Sequence, residues 1–218
     1  MAQPRALVLF KGTGSVDRSL EKFGFKVDSL DMDKKCNATW TSDILTWESW
    51  RDIEPGTYSF IWASPPCTQY SIARTTAKTP RNFALADSIV ARTLEIINHL
   101  HPSGWLMENP ATGLLKTRGV VRGLPFVTVC YCMYSNGINH KYRKPTALWG
   151  GLPAFVPRPM CTRKAPCEYS RSGKHPCCAQ RFSHSRLDNQ RFTLKELYSM
   201  PKALCDDIAR AAAQLSPS

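Results

Sequence analysis

An α/β fold, an open sheet with helices on both faces, is what this sequence predicts. Three observations point to it. Ala6-Leu7-Val8-Leu9-Phe10 is a continuous apolar run, the mark of a central strand. Residues 82–101 place apolar side chains at Leu85/Ala86, Ile89/Val90, Leu94, Ile96/Ile97 and Leu100, which is helical spacing. Strand-like and helix-like segments alternate along the first 150 residues, and 218 residues suit one domain with a small insertion.

In order, the first strand runs into Lys11-Gly12-Thr13-Gly14-Ser15-Val16, where glycines let the backbone turn sharply and approach a ligand. Ser15 or Asp17 is expected to cap the following helix, whose inner face holds Leu20 and Phe23. Lys26–Leu30 reads as the second strand, with Asp31-Met32-Asp33 at its end. A carboxylate there suits ribose hydroxyls, and is otherwise an ordinary cap for a helix over residues 34–40. Residues 41–45, with Asp43, read as a short third strand and turn, and residues 52–56 as a loop.

Tyr58-Ser59-Phe60-Ile61-Trp62 is the next strand, and Pro65-Pro66-Cys67 follows at its exit. A lone cysteine is ordinarily inert packing, but a thiol on a stiff Pro-Pro loop at a strand's carboxyl end is placed to be a nucleophile. Residues 72–81, polar and basic with Arg74, Lys78 and Arg81, read as a mobile loop able to close over phosphates. Gly104-Trp105-Leu106-Met107 reads as a strand ending in Glu108-Asn109-Pro110, a second acid fixed by a proline. Burial raises a glutamate's pKa and makes it a proton donor near neutrality. Residues 125–134 read as a strand, 135–141 as a turn, and Tyr142-Arg143-Lys144-Pro145-Thr146 as a basic segment feeding a strand at Ala147-Leu148-Trp149.

The bulk numbers exclude some classes. No apolar run reads as long enough to span a membrane, and a secretory leader of the charged-then-apolar kind is not expected. Nine cysteines spread along an α/β pattern favour a reducing compartment over a secreted disulfide framework. The net charge is +12, and residues 141–191 concentrate it, with eleven Lys/Arg against Glu168 and Asp188. A basic block on a nearly neutral body is the footprint of a polyanion-binding face.

Taken in order, Phe10-Lys11-Gly12-Thr13-Gly14-Ser15, Asp31-Met32-Asp33, Asp43-Ile44, Pro65-Pro66-Cys67, Glu108-Asn109 and the strand from Arg143 to Trp149 resemble the C5-cytosine DNA methyltransferases. Arg191-Phe192-Thr193-Leu194-Lys195-Glu196-Leu197 also resembles that family's late helix opening. The resemblance implies a Rossmann-like, S-adenosylmethionine-dependent methyltransferase sheet over residues 1–150 and a C-terminal helix packing back over residues 191–218. It implies S-adenosylmethionine as cofactor, with Phe10 against the adenine and Gly12-Thr13-Gly14-Ser15 along the methionine moiety. Asp31 would bind the ribose, Met32 would pack on the adenine and Asp43 would accept from its amino group, with Ile44 and Pro65 completing the site. Cys67, Glu108, Asn109 and Lys144 would be the catalytic set: Cys67 adds to C6 of cytosine, Glu108 holds and protonates N3, and Lys144 replaces an arginine. Ala147 stands where the family has a second arginine, and Tyr198-Ser199-Met200-Pro201 stands where it has a Gly-Asn segment.

Between the basic strand and the C-terminal helix the family usually carries a large target-recognition domain, and here residues 151–190 must serve. This insert is short and poor in core material but holds Cys161, Cys167, His175, Cys177, Cys178 and His184. A structural zinc ion would supply what its core lacks. The expected ligands are Cys161, Cys167, His175 and Cys177, with Cys178 or His184 as substitutes. Arg158, Arg163, Lys164, Arg171, Lys174, Arg181 and Arg186, interleaved with Tyr169 and Phe182, read as a compact DNA-gripping surface with loose sequence specificity.

The expected function is methyl transfer from S-adenosylmethionine to C5 of cytosine in DNA, by a monomer, with no membrane partner. The expected location is intracellular with access to DNA: the cytoplasm of a prokaryote or virus-infected cell, or a nucleus. RNA as substrate and a catalytically inactive DNA-binding protein are the alternatives. A zinc deaminase is set aside, because His175-Pro176-Cys177-Cys178 lacks the required glutamate and spacing.

Overall fold

The computed structural model describes residues 3–74, 77–172, 174, 175, 179 and 193–215. Among them one sheet forms from β1 (Arg5–Leu9), β2 (Lys26–Asp31), β3 (Trp40–Thr41), β4 (Phe60–Ala63), β5 (Gly104–Pro110), β6 (Phe126–Cys130) and β7 (Pro145–Gly151). The strand order is β3-β2-β1-β4-β5-β7-β6. The first five strands are mutually parallel, and β7 runs antiparallel between β5 and β6. The helices are α1 (Ser15–Lys22), α2 (Phe83–Leu100), α3 (Leu194–Tyr198) and α4 (Lys202–Ala212).

Why β1 reads as unbroken apolar sequence is visible in its burial. Ala6 and Val8 face a core built with Val16 and Leu20 of α1 and Leu204, Ile208 and Ala211 of α4. Leu7 and Leu9 face the opposite core, with Ala86, Val90, Ile96, Ile97 and Leu100 of α2. Both faces of the strand are therefore dry, as expected where helices cover a parallel sheet on each side. The α2 spacing does what it predicts, and Asn82 caps that helix by accepting from the Leu85 N–H at 3.0 Å. Antiparallel β7 passes β5 at Gly150, whose φ is +108°. A Cβ there would lie 2.4 Å from the Trp105 carbonyl oxygen, so the crossing admits only glycine.

Several local expectations are corrected. Neither Ser15 nor Asp17 caps α1: Gly14 does, at φ +67°, with no side-chain cap. The Ser15 hydroxyl instead meets Thr13 Oγ1 at 2.8 Å, and Asp17 is buried with Lys11 Nζ 3.4 Å away. Residues 34–40 hold one 3-10 turn, Lys34–Cys36, because Asn37 in the left-handed region ends it and Trp40 pairs with Leu30. The third strand is thus 40–41, ahead of the expected 41–45, and Ser49–Asp52 form a further 3-10 turn before the expected loop. The strand expected over 125–134 stops at Cys130, and Tyr131–Tyr134 wind into a 3-10 turn. Tyr131, Cys132 and Tyr134 are all buried in that turn. Of the expected C-terminal helix opening, Arg191 and Phe192 lie outside the described residues, while Thr193 and Glu196 form a reciprocal capping box on α3.

Candidate active site

The strand order changes direction between β1 and β4, with β2 continuing to one side and β5 to the other. Such switch points open a crevice at the carboxyl ends of the strands. Here it is a cleft of about 540 Å³, within the roughly 300–1,000 Å³ of small-molecule sites.

One half of the cleft is built by the turn after β1. Phe10 sits at φ +63°, and its N–H and that of Lys11 both donate to the Leu30 carbonyl, at 2.8 and 3.1 Å. This folds the glycine loop over the end of β2. Gly12, at φ +52°, donates its N–H to Asp31 Oδ2 at 2.8 Å, and Asp31 Oδ1 accepts from the Asp33 N–H at 2.8 Å. Asp31 thus locks loop to strand while facing the cleft. Phe10, Gly12, Thr13, Ser15, Asp31, Met32, Asp43, Ile44 and Pro65 all line it, and Gly14 does not. Met32 is 70% exposed, an apolar surface left open at the rim.

The other half brings Cys67, Glu108 and Lys144 together. Ser64 closes β4 by donating its N–H to the Leu9 carbonyl at 3.2 Å, and Pro65-Pro66 then aim Cys67 into the cleft. Asn109 is fully buried on β5, and its Nδ2 donates to the Pro65 carbonyl at 2.9 Å. It does not line the cleft; it holds the Pro65-Pro66-Cys67 loop from behind. Its neighbour Glu108 does line the cleft, and its buried Oε1 has no hydrogen-bond partner among the described residues. Burial pushes the Glu108 carboxyl up, with Lys144 opposing. Burial and then the Glu108 charge push the Cys67 thiol up, with Lys144 again opposing. Lys144 lines the same cleft, with Nζ 4.5 Å from the Tyr131 ring centre and 3.4 Å from the Leu197 carbonyl.

Ala147 lies inside β7, fully buried and paired with Asn109 and Thr128. It belongs to the core on the α2 side, where a longer cationic side chain would have no solvent. Sequence reasoning missed Tyr131, Tyr198 and Met200, which also line the cleft. The signal for the last two was an apolar pair at the junction between α3 and α4. Met200 closes the cleft through its N–H, which lies 3.4 Å from Ser15 Oγ.

Residues 5–120 match the family model of the C-5 cytosine-specific DNA methylases. A "probable DNA (cytosine-5)-methyltransferase" of Frog virus 3 (isolate Goorha) is 32% identical over 174 residues, covering 75% of this chain and 77% of that protein. This chain belongs to the C-5 cytosine-specific DNA methylase family. Among solved structures, the fold matches a DNA modification methyltransferase encoded within a prophage of E. coli at a TM-score of 0.51 and 16% identity, over 72% of this chain and 51% of that one. It also matches the Entamoeba histolytica methyltransferase EhMeth at 0.50 and 16%, over 72% and 56%. This chain spans about half the length of those two structures, and at such identity the likeness is one of fold.

The methylase match ends before Lys144 and the insert. In this methylase the insert packs its described cysteines against the sheet. Cys161, Cys167 and His175 gather with Cys132, and one ligand atom from each lies within 4.8 Å of the others. Cys132 was not foreseen, because the segment reads locally as strand. Cys177, Cys178 and His184 lie outside the described residues, as do Arg181, Phe182 and Arg186. Some basic residues expected to grip DNA are used within the methylase itself. Arg158 pairs with Asp207 at 3.1 Å and covers the Tyr134 ring. Arg74 donates to Gln69 Oε1 and to Thr79, and Arg81 to the Gln69 carbonyl, so these two arginines brace the loop after Cys67 rather than standing free for phosphates. No described helix is long and apolar enough to cross a membrane.

Proposed function

We propose that this methylase transfers a methyl group from S-adenosylmethionine to C5 of cytosine in DNA, through a covalent bond between Cys67 Sγ and C6. The observation that supports this most is the meeting of Cys67, Glu108 and Lys144 on one cleft whose other half is the glycine loop and Asp31. The donor set suits the cofactor. Asp31 and Asp43 offer carboxylates to hydroxyl and amino groups, Phe10 and Met32 offer apolar faces, and the glycine turn leaves room along the loop. S-adenosylmethionine supplies an electrophilic methyl group when bound.

The protein must make C5 nucleophilic. The Cys67 thiolate adds to C6, forming the S–C bond and pushing electrons toward N3. Glu108, whose pKa burial raises, gives its proton to N3 and neutralises the charge there. C5 is then enamine-like and gains the methyl group. Loss of the C5 proton to a base expels the Cys67 thiolate, and Glu108 recovers its proton from N3. A base in a duplex must leave the stack to reach this cleft, at a cost of a few kcal/mol, and phosphate contacts from the basic insert offset it.

Covalent trapping tests the reading. Duplex DNA carrying 5-fluorocytosine, mixed with this methylase and S-adenosylmethionine, is expected to give a denaturation-resistant adduct, because fluorine at C5 does not leave as a proton. Cys67→Ala is expected to abolish it. No adduct on diverse DNA while the cofactor still binds would refute methylation of DNA, and an adduct on fluorinated RNA alone would move the substrate to that polymer.

A further inference from the structure

We propose that Cys132, Cys161, Cys167 and His175 bind one zinc ion, and that this ion fastens two basic loops of the insert to the catalytic sheet. Zinc prefers four thiolate and imidazole ligands in a tetrahedron. Ligand atoms about 2.0–2.3 Å from a central ion stand about 3.5–3.8 Å from one another. The His175 Nε2 lies 3.7 Å from Cys161 Sγ and 3.2 Å from Cys167 Sγ, and the four ligand atoms fall within 4.8 Å of one another. Small side-chain adjustments close that gap. The three cysteines are buried, and the Cys167 N–H donates to Cys161 Sγ at 3.3 Å, an interaction that supports a thiolate.

The ligand set is what makes the site informative. Three ligands come from the insert and the fourth, Cys132, from the turn that follows β6. Cys132 lies next to Tyr131, which lines the catalytic cleft. Arg143, beside the catalytic Lys144, donates its Nε to the Cys161 carbonyl at 3.2 Å. The ion would therefore join the insert to the same wall that carries Lys144. Three thiolates and a neutral imidazole around Zn²⁺ carry one net negative charge, and Arg143 stands against it. Binding releases the three thiol protons.

The two loops that the ion closes present basic residues to solvent. Arg163 and Lys164 are exposed between Cys161 and Cys167. Arg171 and Lys174 are exposed between Cys167 and His175, on a tight hairpin closed by hydrogen bonds of 2.7 and 2.9 Å. A second cavity, of about 390 Å³, opens beside the cluster and is lined by Arg143, Arg163, Thr162 and Ser170 together with Cys161 and His175. Cations and hydroxyls in this arrangement suit phosphate oxygens. The insert lacks the apolar material to hold such loops, and the metal replaces it. This consequence for DNA rests on the methyltransferase reading, whereas the metal site does not.

The full chain, purified without chelator, is expected to hold one zinc per molecule by elemental analysis. Replacement with Co²⁺ is expected to give the intense visible bands of a tetrahedral ion and thiolate-to-metal charge transfer. Cys132→Ser and Cys161→Ser are each expected to lose the metal, while Cys130→Ser and Cys177→Ser keep it. Should the serine variants fail to fold, the wild type still decides. A chelator must expose Cys132, Cys161 and Cys167 together to alkylation, read by mass spectrometry. No stoichiometric metal, iron in its place, or a metal lost from Cys177→Ser but kept by Cys132→Ser would overturn the assignment. Removing the metal is also expected to flatten the salt dependence of DNA binding, and an unchanged slope would overturn the role of the basic loops. None of the metal measurements needs catalytic activity, so they separate this proposal from the reading of the active site.

Discussion

Asn109 makes a sharp test of how the Pro65-Pro66-Cys67 loop is held. Asn109→Ala removes the Nδ2 donor that the Pro65 carbonyl accepts at 2.9 Å in a fully buried position. Losing the bond costs about 0.5–1.5 kcal/mol, and leaving the carbonyl unpaired costs about 1–3 kcal/mol. The same change relieves a standing penalty, because Asn109 Oδ1 is itself buried with no partner among the described residues, at about 1–3 kcal/mol. The relief offsets part of the loss, so global stability is expected to fall by about 1–3 kcal/mol, or roughly 2–12 °C in Tm for a chain of this size. The Pro65-Pro66-Cys67 loop nonetheless loses its anchor. If about 1–3 kcal/mol of positioning is lost from the reacting geometry, adduct formation slows by about 5- to 150-fold. The assay is the single-turnover rate of trapping on 5-fluorocytosine DNA, alongside a thermal melt. Asn109→Asp, with the same shape and no amide donor, is expected to slow trapping as well. A trapping rate within twofold of wild type in Asn109→Ala would refute the anchoring role.

Two other outcomes follow from the site. Asp31→Ala deletes the charged acceptor for the Gly12 N–H, a bond of the class worth about 1.5–3 kcal/mol, so S-adenosylhomocysteine is expected to bind about 10- to 150-fold more weakly by calorimetry, with Asp31→Asn between; affinity within threefold of wild type for both would sink the role given to this carboxylate. The Glu108 charge raises the Cys67 thiol pKa while Lys144 lowers it. Glu108→Gln is therefore expected to move the pH profile of Cys67 alkylation by iodoacetamide to lower pH, and Lys144→Met to move it to higher pH. Two unmoved profiles would show that the three groups do not share one field.

What the sequence disclosed was mostly local. The strand read over residues 6–10 (observed as Arg5–Leu9, with Phe10 already in the turn), the α2 helix and the Pro-Pro-Cys exit are each written within a few consecutive residues, because period, propensity and turn chemistry act over that range. The cleft followed, since loops at strand ends converge once the sheet order is set. Contacts between distant residues were not legible. Asn109 reaches back 44 residues to Pro65, and nothing near either residue encodes that bond. Cys132 lies 29 positions before Cys161, in a segment whose local pattern is strand, and only the turn after β6 brings them together. Arg74 and Arg158 looked like free charge because composition counts a cation without showing its partner. Ser15 lost its expected capping role to Gly14, whose left-handed backbone starts α1 without a side chain.

Under the proposed mechanism, the electrostatics of the cleft make the chemistry wait for the base. The proposed covalent addition wants Cys67 ionised and Glu108 protonated at once. Lys144 favours the first and opposes the second, since it stabilises both anions. Burial does the reverse, raising both pKa values. Neither influence alone gives the productive pair. A flipped cytosine breaks the tie, because its N3 takes a hydrogen bond from the protonated Glu108 and gives that carboxyl a reason to keep its proton until transfer. Glu108 Oε1 has no partner among the described residues, so the base completes a hydrogen-bonding demand that the protein leaves open. With Glu108 neutral, the largest charge acting against the Cys67 thiolate is gone, and Lys144 remains beside it. In the proposed mechanism, base binding thus assembles the reactive protonation state.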